Sequence, residues 1–261
     1  MNNCKGDILF RYSSMASSEA KAHTLDILTN LRLYASHPTQ FNDPFECAAQ
    51  ISFDAPLGIK NTLAAESLMK ENPTMTRAEA ESRAPQRWQA VEKTHLSHLH
   101  SWLLNNARML SFSTVNDDIL MWSHYAGRHN GICIEFRCTA DKPVVDFFAK
   151  AQPVRYQEAL PRINFYTTPP LEKAEALILT KAEHWSYERE WRIILPHSSE
   201  YISLPPGIIS AVYLGSRISV ENRSEILQSL SSIPYKDKIC LFQAHNRPDA
   251  YGLAFQPVTN T

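Results

Sequence analysis

The chain has 261 residues, with 26 Lys and Arg against 27 Asp and Glu, 44% hydrophobic residues and 7 glycines. A charge this close to zero excludes a wide non-specific grip on nucleic acid, which is built from many phosphate contacts, although a local basic groove stays open. No apolar run approaches the roughly 20 residues that span a bilayer. Average usage would give about 18 glycines. The seven stand at positions 6, 58, 127, 131, 207, 215 and 252, and form neither G-x-G-x-x-G nor G-x-x-x-x-G-K-[ST]. The Rossmann and P-loop ways of holding phosphate are thereby excluded as motifs. The first seven residues lack the apolar stretch of a signal peptide. Five cysteines without a C-x-x-C pair set the expectation of reduced thiols in a cytoplasmic protein.

In chain order, Ile8 to Tyr12 reads as a first strand. Ser17 or Ser18 caps the next helix, with Glu19 in its first turn and Leu25, Leu28 and Leu31 as its apolar stripe. Leu33 to Ser36 is a short strand, followed by the loop Phe41-Asn42-Asp43-Pro44-Phe45-Glu46 and a second short strand from Ala48 to Phe53. From about 59 to 106 the pattern is helical, interrupted at Pro73 and Pro85. Trp88, Val91, His95, Leu99, Trp102 and Leu103 recur there at helical spacing. No flexible linker flanks this stretch, so the expectation is one α+β domain over 1–261 carrying a helical insertion. Strands return at Arg108 to Thr114. Asp117 and Asp118 open a short helix through Tyr125 that Gly127 stops. Ile132 to Arg137 alternates with period 2. Val154 to Tyr156 is a further short strand, and Pro169 and Pro170 start a helix to about Ala182. Glu188 to Leu195 reads as a strong strand. Ala211 to Leu214, a helix near 220–230 and Ile239 to Gln243 form a β-α-β unit, and a hairpin arm runs from Tyr251 to Val258. The fold class is α+β, a mixed sheet core with helices on its flanks.

Four segments carry polar side chains suited to chemistry. In Trp185-Ser186-Tyr187-Glu188-Arg189-Glu190-Trp191-Arg192, strand alternation puts Glu188, Glu190 and Arg192 on one face. Two carboxylates so spaced can take different roles, or can form an exposed face neutralised by Arg192 and Arg189. In Met109-Leu110-Ser111-Phe112-Ser113-Thr114, Ser111 and Ser113 share a face and can orient a carboxylate on a neighbouring strand, or be ordinary strand-end residues. The Asn42-Asp43-Pro44 turn, pinned by Phe41 and Phe45, is a structural turn or puts Asn42, Asp43 or Glu46 at a pocket rim. The spacing of His124, His129, Cys133 and Cys138 invites zinc, but Cys133 and Cys138 lie five apart on one strand and face opposite ways, so no metal is expected. His124 and His129 then hydrogen-bond locally or line a cleft beside Tyr125. His95, His98 and His100 have poor chelating spacing on a helix. G-x-S-x-G and H-E-x-x-H are both absent.

Taken together, Leu9-Phe10-Arg11-Tyr12, FNDPFE (41–46), LSFST (110–114), MWSHYA (121–126), HNGICIEF (129–136), WSYEREWR (185–192) and VYLG (212–215) resemble bacterial domain-of-unknown-function family 2971, from about residue 8 to 215. The family name carries no activity. A weaker resemblance, to the arginine–serine–glutamate ADP-ribosyltransferases, rests on Arg11, on Ser111 with Ser113, and on Glu188 with Glu190. It implies split sheets that hold NAD in a cleft without a glycine loop. The chain departs from that pattern in reading Ser-Phe-Ser for the usual Ser-Thr-Ser, and in the long insertion before Ser111.

The resemblance implies an NAD-consuming enzyme that cleaves the nicotinamide–ribose bond through an oxocarbenium-like cation. Glu190 would stabilise that cation and Glu188 would position or deprotonate an acceptor. Arg11 would hold a diphosphate oxygen, Ser111 or Ser113 would orient Glu190, and Tyr125 or Tyr12 would stack on a ring. The implied setting is a toxin or phage-defence effector acting on a protein, nucleic-acid or small-molecule acceptor, with an antitoxin or immunity partner. Two other readings stand beside it. One is a hydrolase of another glycosidic or phosphodiester bond using Glu188, Glu190 and Asp43. The other is a non-catalytic sensor or antitoxin-like module.

Overall fold

The computed structural model describes residues 8–258, apart from the side chains of 94–106. The side chains of His95, His98, His100, Leu99, Trp102 and Leu103 therefore lie outside the described residues. The elements follow in chain order. The opening strand β1 (Ile8–Ser13) leads to α1 (Ser18–Thr29), which starts where Ser17 accepts a hydrogen bond from the Ala20 N–H. Next come β2 (Arg32–Tyr34), β3 (Gln50–Ser52), α2 (Leu57–Glu71) and α3 (Arg77–Asn106). They are followed by β4 (Ala107–Ser113), α4 (Ile119–His124), β5 (Ile132–Arg137), α5 (Lys142–Phe148), β6 (Ala151–Pro153), β7 (Arg155–Gln157) and β8 (Arg162–Asn164). The remainder is α6 (Pro170–Ile178), β9 (Thr180–Ala182), β10 (Glu190–Pro196), β11 (Tyr201–Ser203), β12 (Ile209–Leu214), α7 (Val220–Ser231), β13 (Cys240–Asn246) and β14 (Leu253–Pro257).

Contacts divide the chain into two compact units, 1–37 with 108–154 and 184–261, and 38–107 with 155–183. In the second unit the segments pair as short parallel ladders, β3 with β8 and β7 with β9. Its helices α2 and α3 pack through Ala64, Ala65, Ala80 and Ala84. Side chains this small let two backbones approach closely, and that contact carries Pro85 inside α3. Pro73 lies between the helices as expected, but Pro85 does not break its helix. One lost ladder bond is offset by packing. Lys60 and Tyr166 both bind the Glu92 carboxylate, at 2.8 and 3.0 Å. Phe45, expected to pin its loop, is 66% exposed.

The first unit is built on a mixed eight-stranded sheet in the order β14-β13-β12-β5-β1-β4-β10-β6. The α+β class is thus observed, and β12-α7-β13 is the expected β-α-β unit, its two strands parallel. One face of the sheet carries Leu9, Leu110, Ile134, Ile193 and Val212, packed with Leu28 of α1 and Ile226 of α7. The other carries Phe10, Tyr12, Cys133 and Tyr213 under Met121 and Trp122 of α4. β1 pairs with β5 from Ile8↔Arg137 to Ser13↔Ile132, and meets β4 at Phe10↔Ser113. Further along β4, Met109 bridges to Ser36 instead. Among the described residues Cys47, Cys133 and Cys240 form no disulfide, whereas Cys138 is disulfide-bonded, against the expectation of reduced thiols throughout. Among the described residues no helix is long and apolar enough to cross a membrane.

Two of the few glycines are required by close approach. A Cβ at Gly131 would lie 2.1 Å from the Ser13 carbonyl oxygen, and one at Gly215 would lie 2.1 Å from that of His129. Neither backbone can withdraw without losing the sheet. Gly131→Ala and Gly215→Ala are therefore expected to destabilise the protein by about 3 kcal/mol each, the upper end for overpacking. Gly58, in the first turn of α2 with nothing within 4 Å of its Cβ position, is the control. Gly58→Ala should stabilise by up to about 1 kcal/mol through helix propensity. Thermal and urea unfolding of the three variants check this.

Candidate functional site

The site grows from the start of β10. Trp191 and Ile193 pack into the core that Leu9 and Leu110 occupy, so alternation turns Glu190 and Arg192 to the opposite face. Both are buried, at 6% and 1% exposure, and this overturns the alternative of an exposed, neutralised face. Arg192 Nε donates to Glu190 Oε1 and its NH2 donates to Oε2, both at 2.8 Å. An i,i+2 pair on one strand face brings the guanidinium fork and the carboxylate into register, and both oxygens are held.

Glu188 reaches the site by another route than expected. The strand begins only at Glu190; residues 183–188 form a 3-10 turn, and Arg189 between the glutamates has a left-handed φ of 45°. Strand alternation therefore does not relate the two carboxylates; the turn does. Glu188 is 3% exposed, and the phenol of Tyr125, just past α4, donates to its Oε1 at 2.6 Å. Burial, followed by the charge and hydrogen bond of Glu188 and then the charges of Glu190 and Tyr187, pushes the Tyr125 phenol far above its ordinary value. Two pairs, Glu190 with Arg192 and Glu188 with the half-buried Tyr125, thus flank Arg189, and the charge of Glu190 acts on the same phenol. The helix that delivers Tyr125 is capped by Asp118, which accepts from the Leu120 and Met121 N–H groups. It is anchored by Trp122, whose indole donates to the Asn116 carbonyl at 2.7 Å.

The remaining expected residues divide. Ser113 lies on the same face as Glu190, because its partner Phe10 does. Its hydroxyl donates to the backbone carbonyl of Glu188 at 2.7 Å and accepts from the Val115 N–H, so it fixes the turn and not the Glu190 carboxylate. Tyr12 packs edge-on to Trp122 and donates to the Val115 carbonyl, which leaves it a core residue instead of a stacking platform. Ser111 contributes its carbonyl, which accepts from Arg11. Arg11 itself departs most. Opposite Ile134 and two residues from Leu9, it lies on the other face of the sheet from Glu190. It fills the gap where β1 and β4 separate, donating to the carbonyls of Ser111 and Tyr34 at 3.2 and 3.3 Å. Burial lowers its pKa to about 10. His124 is exposed at the end of α4, its ring 6.3 Å from that of Tyr125.

Asn42, Asp43 and Glu46 belong to the second unit. Asn42 is exposed, and the Asp43 carboxylate accepts the Phe45 N–H at 2.9 Å in a turn, so the segment is turn chemistry at Asp43. Glu46 is buried 3.9 Å from the Lys181 ammonium. A buried carboxylate in the first unit escaped the sequence reading. Glu135 accepts from Tyr213 at 2.8 Å and from Ser210 and Arg137 at 2.7 Å each. Its signal was available, since alternation in Ile132-Cys133-Ile134-Glu135 puts it on the side of Cys133.

The family model for a protein family of unknown function (DUF2971) matches residues 121–193. The family expectation holds over this stretch. It contains Tyr125, Glu135, Glu188, Glu190 and Arg192, while FNDPFE and VYLG lie outside it. No curated protein and no solved structure matches the chain.

Removing one member of a buried pair leaves a bare charge. Arg192→Met is expected to destabilise by about 3–5 kcal/mol, and the double change with Glu190→Gln to recover part of that loss, as read by urea unfolding. The Tyr125 phenol gives a second test. Its folded pKa is raised, so its contribution is complete below the ordinary value of 10.0 and is lost as pH rises beyond it. Stability should therefore fall above pH about 10, and Tyr125→Phe should flatten that slope.

Proposed function

We propose that the first unit carries an NAD-consuming site of the ADP-ribosyltransferase type. In this reading Glu190 stabilises the cation that forms as the nicotinamide–ribose bond breaks, and ADP-ribose passes to an acceptor. The observation that carries it is the state of Glu190: buried, and bound through both oxygens to Arg192, which holds it as an anion. A fixed anion in a dry site acts most strongly on developing positive charge, and an oxocarbenium-like transition state supplies that charge. The clamp is internal to β10, so the carboxylate is oriented before any substrate arrives.

Glu188 positions or deprotonates the acceptor, and its hydrogen bond from Tyr125 sets the orientation in which it does so. NAD enters as substrate, and the step needs no metal. Arg11 takes no part in this version, since its fork is engaged with two backbone carbonyls. We assign the diphosphate contact to Arg189 instead, because it is exposed between the two glutamates. A cytoplasmic toxin or phage-defence setting, with an antitoxin or immunity partner, belongs to the proposal by analogy alone. The rival hydrolase, which draws on Asp43, is the poorer reading because that carboxylate is engaged in its own turn.

Incubation with NAD, with and without cell lysate, tests the reading by nicotinamide release. Release in buffer alone marks a glycohydrolase, and release only with lysate marks a transferase. Glu190→Gln, checked for native circular dichroism, should lose at least about a hundredfold of the rate, as for other preorganised electrostatic groups. Undiminished release from that variant, or no release from the parent protein under either condition, overturns it. Turnover of a phosphodiester only with added divalent metal would favour the hydrolase.

A further inference from the structure

The eight-stranded sheet has two edges, and the chain builds them differently. At one, β6 has only three residues and ends on Pro153, which blunts it. At the other, β14 runs for five residues, and the segment Tyr251-Gly252-Leu253-Ala254-Phe255-Gln256-Pro257-Val258 holds no charge. Lysine, an inward-pointing charge or a bulge protects an edge from pairing. β14 has a regular register and neither lysine nor charge, and its proline stands only at the far end.

The ladder fixes which backbone groups this edge leaves open. The Arg247 N–H donates to the Gly252 carbonyl at 3.0 Å, and the Val258 N–H to that of Leu241 at 2.8 Å. Between them the register runs from Asn246↔Leu253 to Phe242↔Pro257. Bonded pairs alternate along an antiparallel ladder, so Ala254 and Gln256 turn their backbone groups toward β13. Leu253 and Phe255 turn theirs outward, and among the described residues no strand lies beyond. Each offers an N–H and a carbonyl, whereas Pro257, next in the row, has a carbonyl and no donor. Ala254, Gln256 and Pro257 are exposed and Phe255 is half-buried, so solvent reaches the strand.

Apolar surface adjoins the open edge. Leu253 and Phe255 bury their side chains on the face that α4 covers. Ile119 and Leu120 of α4 are 37% and 44% exposed, Tyr251 is fully exposed, and Ile119, Tyr251 and Leu253 border one cavity.

We propose that β14 pairs with β14 of a second copy of this chain, antiparallel about a two-fold axis at Ala254. Leu253 of each copy then faces Phe255 of the other, and every N–H of the row meets a carbonyl. Pro257 falls outside this stretch, so its missing donor removes none of these bonds. Ala254 meets Ala254 of the second copy at the non-bonded position, where Cα atoms approach to about 4.5 Å and a small side chain fits. The same two residues supply both donors and acceptors, and no charge calls for a charged partner, which favours a second copy over another protein. The contact is isologous and closes at two copies. It is independent of the NAD-cleavage reading.

Sedimentation velocity of the protein at concentrations up to about 100 µM, well above a micromolar Kd, should show a dimer. Ala254→Lys sets like charges against each other on the axis and should raise the dimer Kd at least about tenfold. Ala254→Glu should do the same. An equimolar mixture of the two variants should recover the dimer, which misfolded chains could not do. Ala254→Cys should cross-link to itself under mild oxidation, since about 4.5 Å between Cα atoms is within disulfide reach. The parent under the same oxidation should not. A monomer throughout the concentration range, its edge then left to an extended segment of another protein, overturns the proposal. So does a dimer that both charged variants leave intact, a mixture that stays monomeric, or Ala254→Cys that fails to cross-link.

Discussion

A carboxylate can leave water only if its partners are already in place, and the first unit meets that condition three times, twice on its sheet and once in the turn before β10. Glu135 is held by Tyr213, Ser210 and Arg137, Glu190 by the fork of Arg192, and Glu188 by Tyr125. An unpaired charge at any of these positions would cost several kcal/mol, a large part of a domain's net stability. The architecture follows from this demand. α4 must lie where Tyr125 reaches Glu188, which requires Trp122 to be buried beneath it and Asp118 to cap its start. β12 must run beside β5 so that Tyr213 reaches Glu135.

The backbone answers the same demand with left-handed residues. Arg189 reverses the chain between a 3-10 turn and β10, so that carboxylates from two different conformations flank it. Gly127, Arg128 and His129 do the same between α4 and β5. Gly131 and Gly215 let the turn press onto the ends of β1 and β12, at separations where any side chain would collide. The short motifs MWSHYA, HNGICIEF and WSYEREWR thus have a physical content: they build the turns and partners of a buried ionic network. The family match from 121 to 193 includes the three carboxylates with Tyr125, Arg137 and Arg192, while Ser210 and Tyr213 lie outside it.

Regular elements with strong local signals were legible. Ser17 caps α1 because its hydroxyl is the nearest acceptor for an orphan N–H, and β12-α7-β13 showed itself by changes of hydrophobic period. Of the three-residue strands, β2, β3 and β7 were expected, but β6, β8, β9 and β11 were not. β8 and β11 exist because a partner strand lies alongside, and three residues cannot display a period. Pro85 misled for the same reason in reverse, since tertiary packing overrode a local breaker. At the candidate site, Glu190 was legible from alternation within β10. Glu188 was included for a reason the turn at Arg189 invalidates, and Arg11 was assigned a ligand that its two carbonyl partners replace.

The amino-acid sequence by itself determined the α+β class, the kinship of residues 121–193 and the exclusion of glycine-loop phosphate binding, because each is a matter of local order along the chain. Tertiary structure alone decided which polar groups meet. Arg192 clamps Glu190, Tyr125 holds Glu188 and Arg11 fills the gap between β1 and β4. These are contacts across strands and turns, and burial, which no local pattern records, makes each of them obligatory.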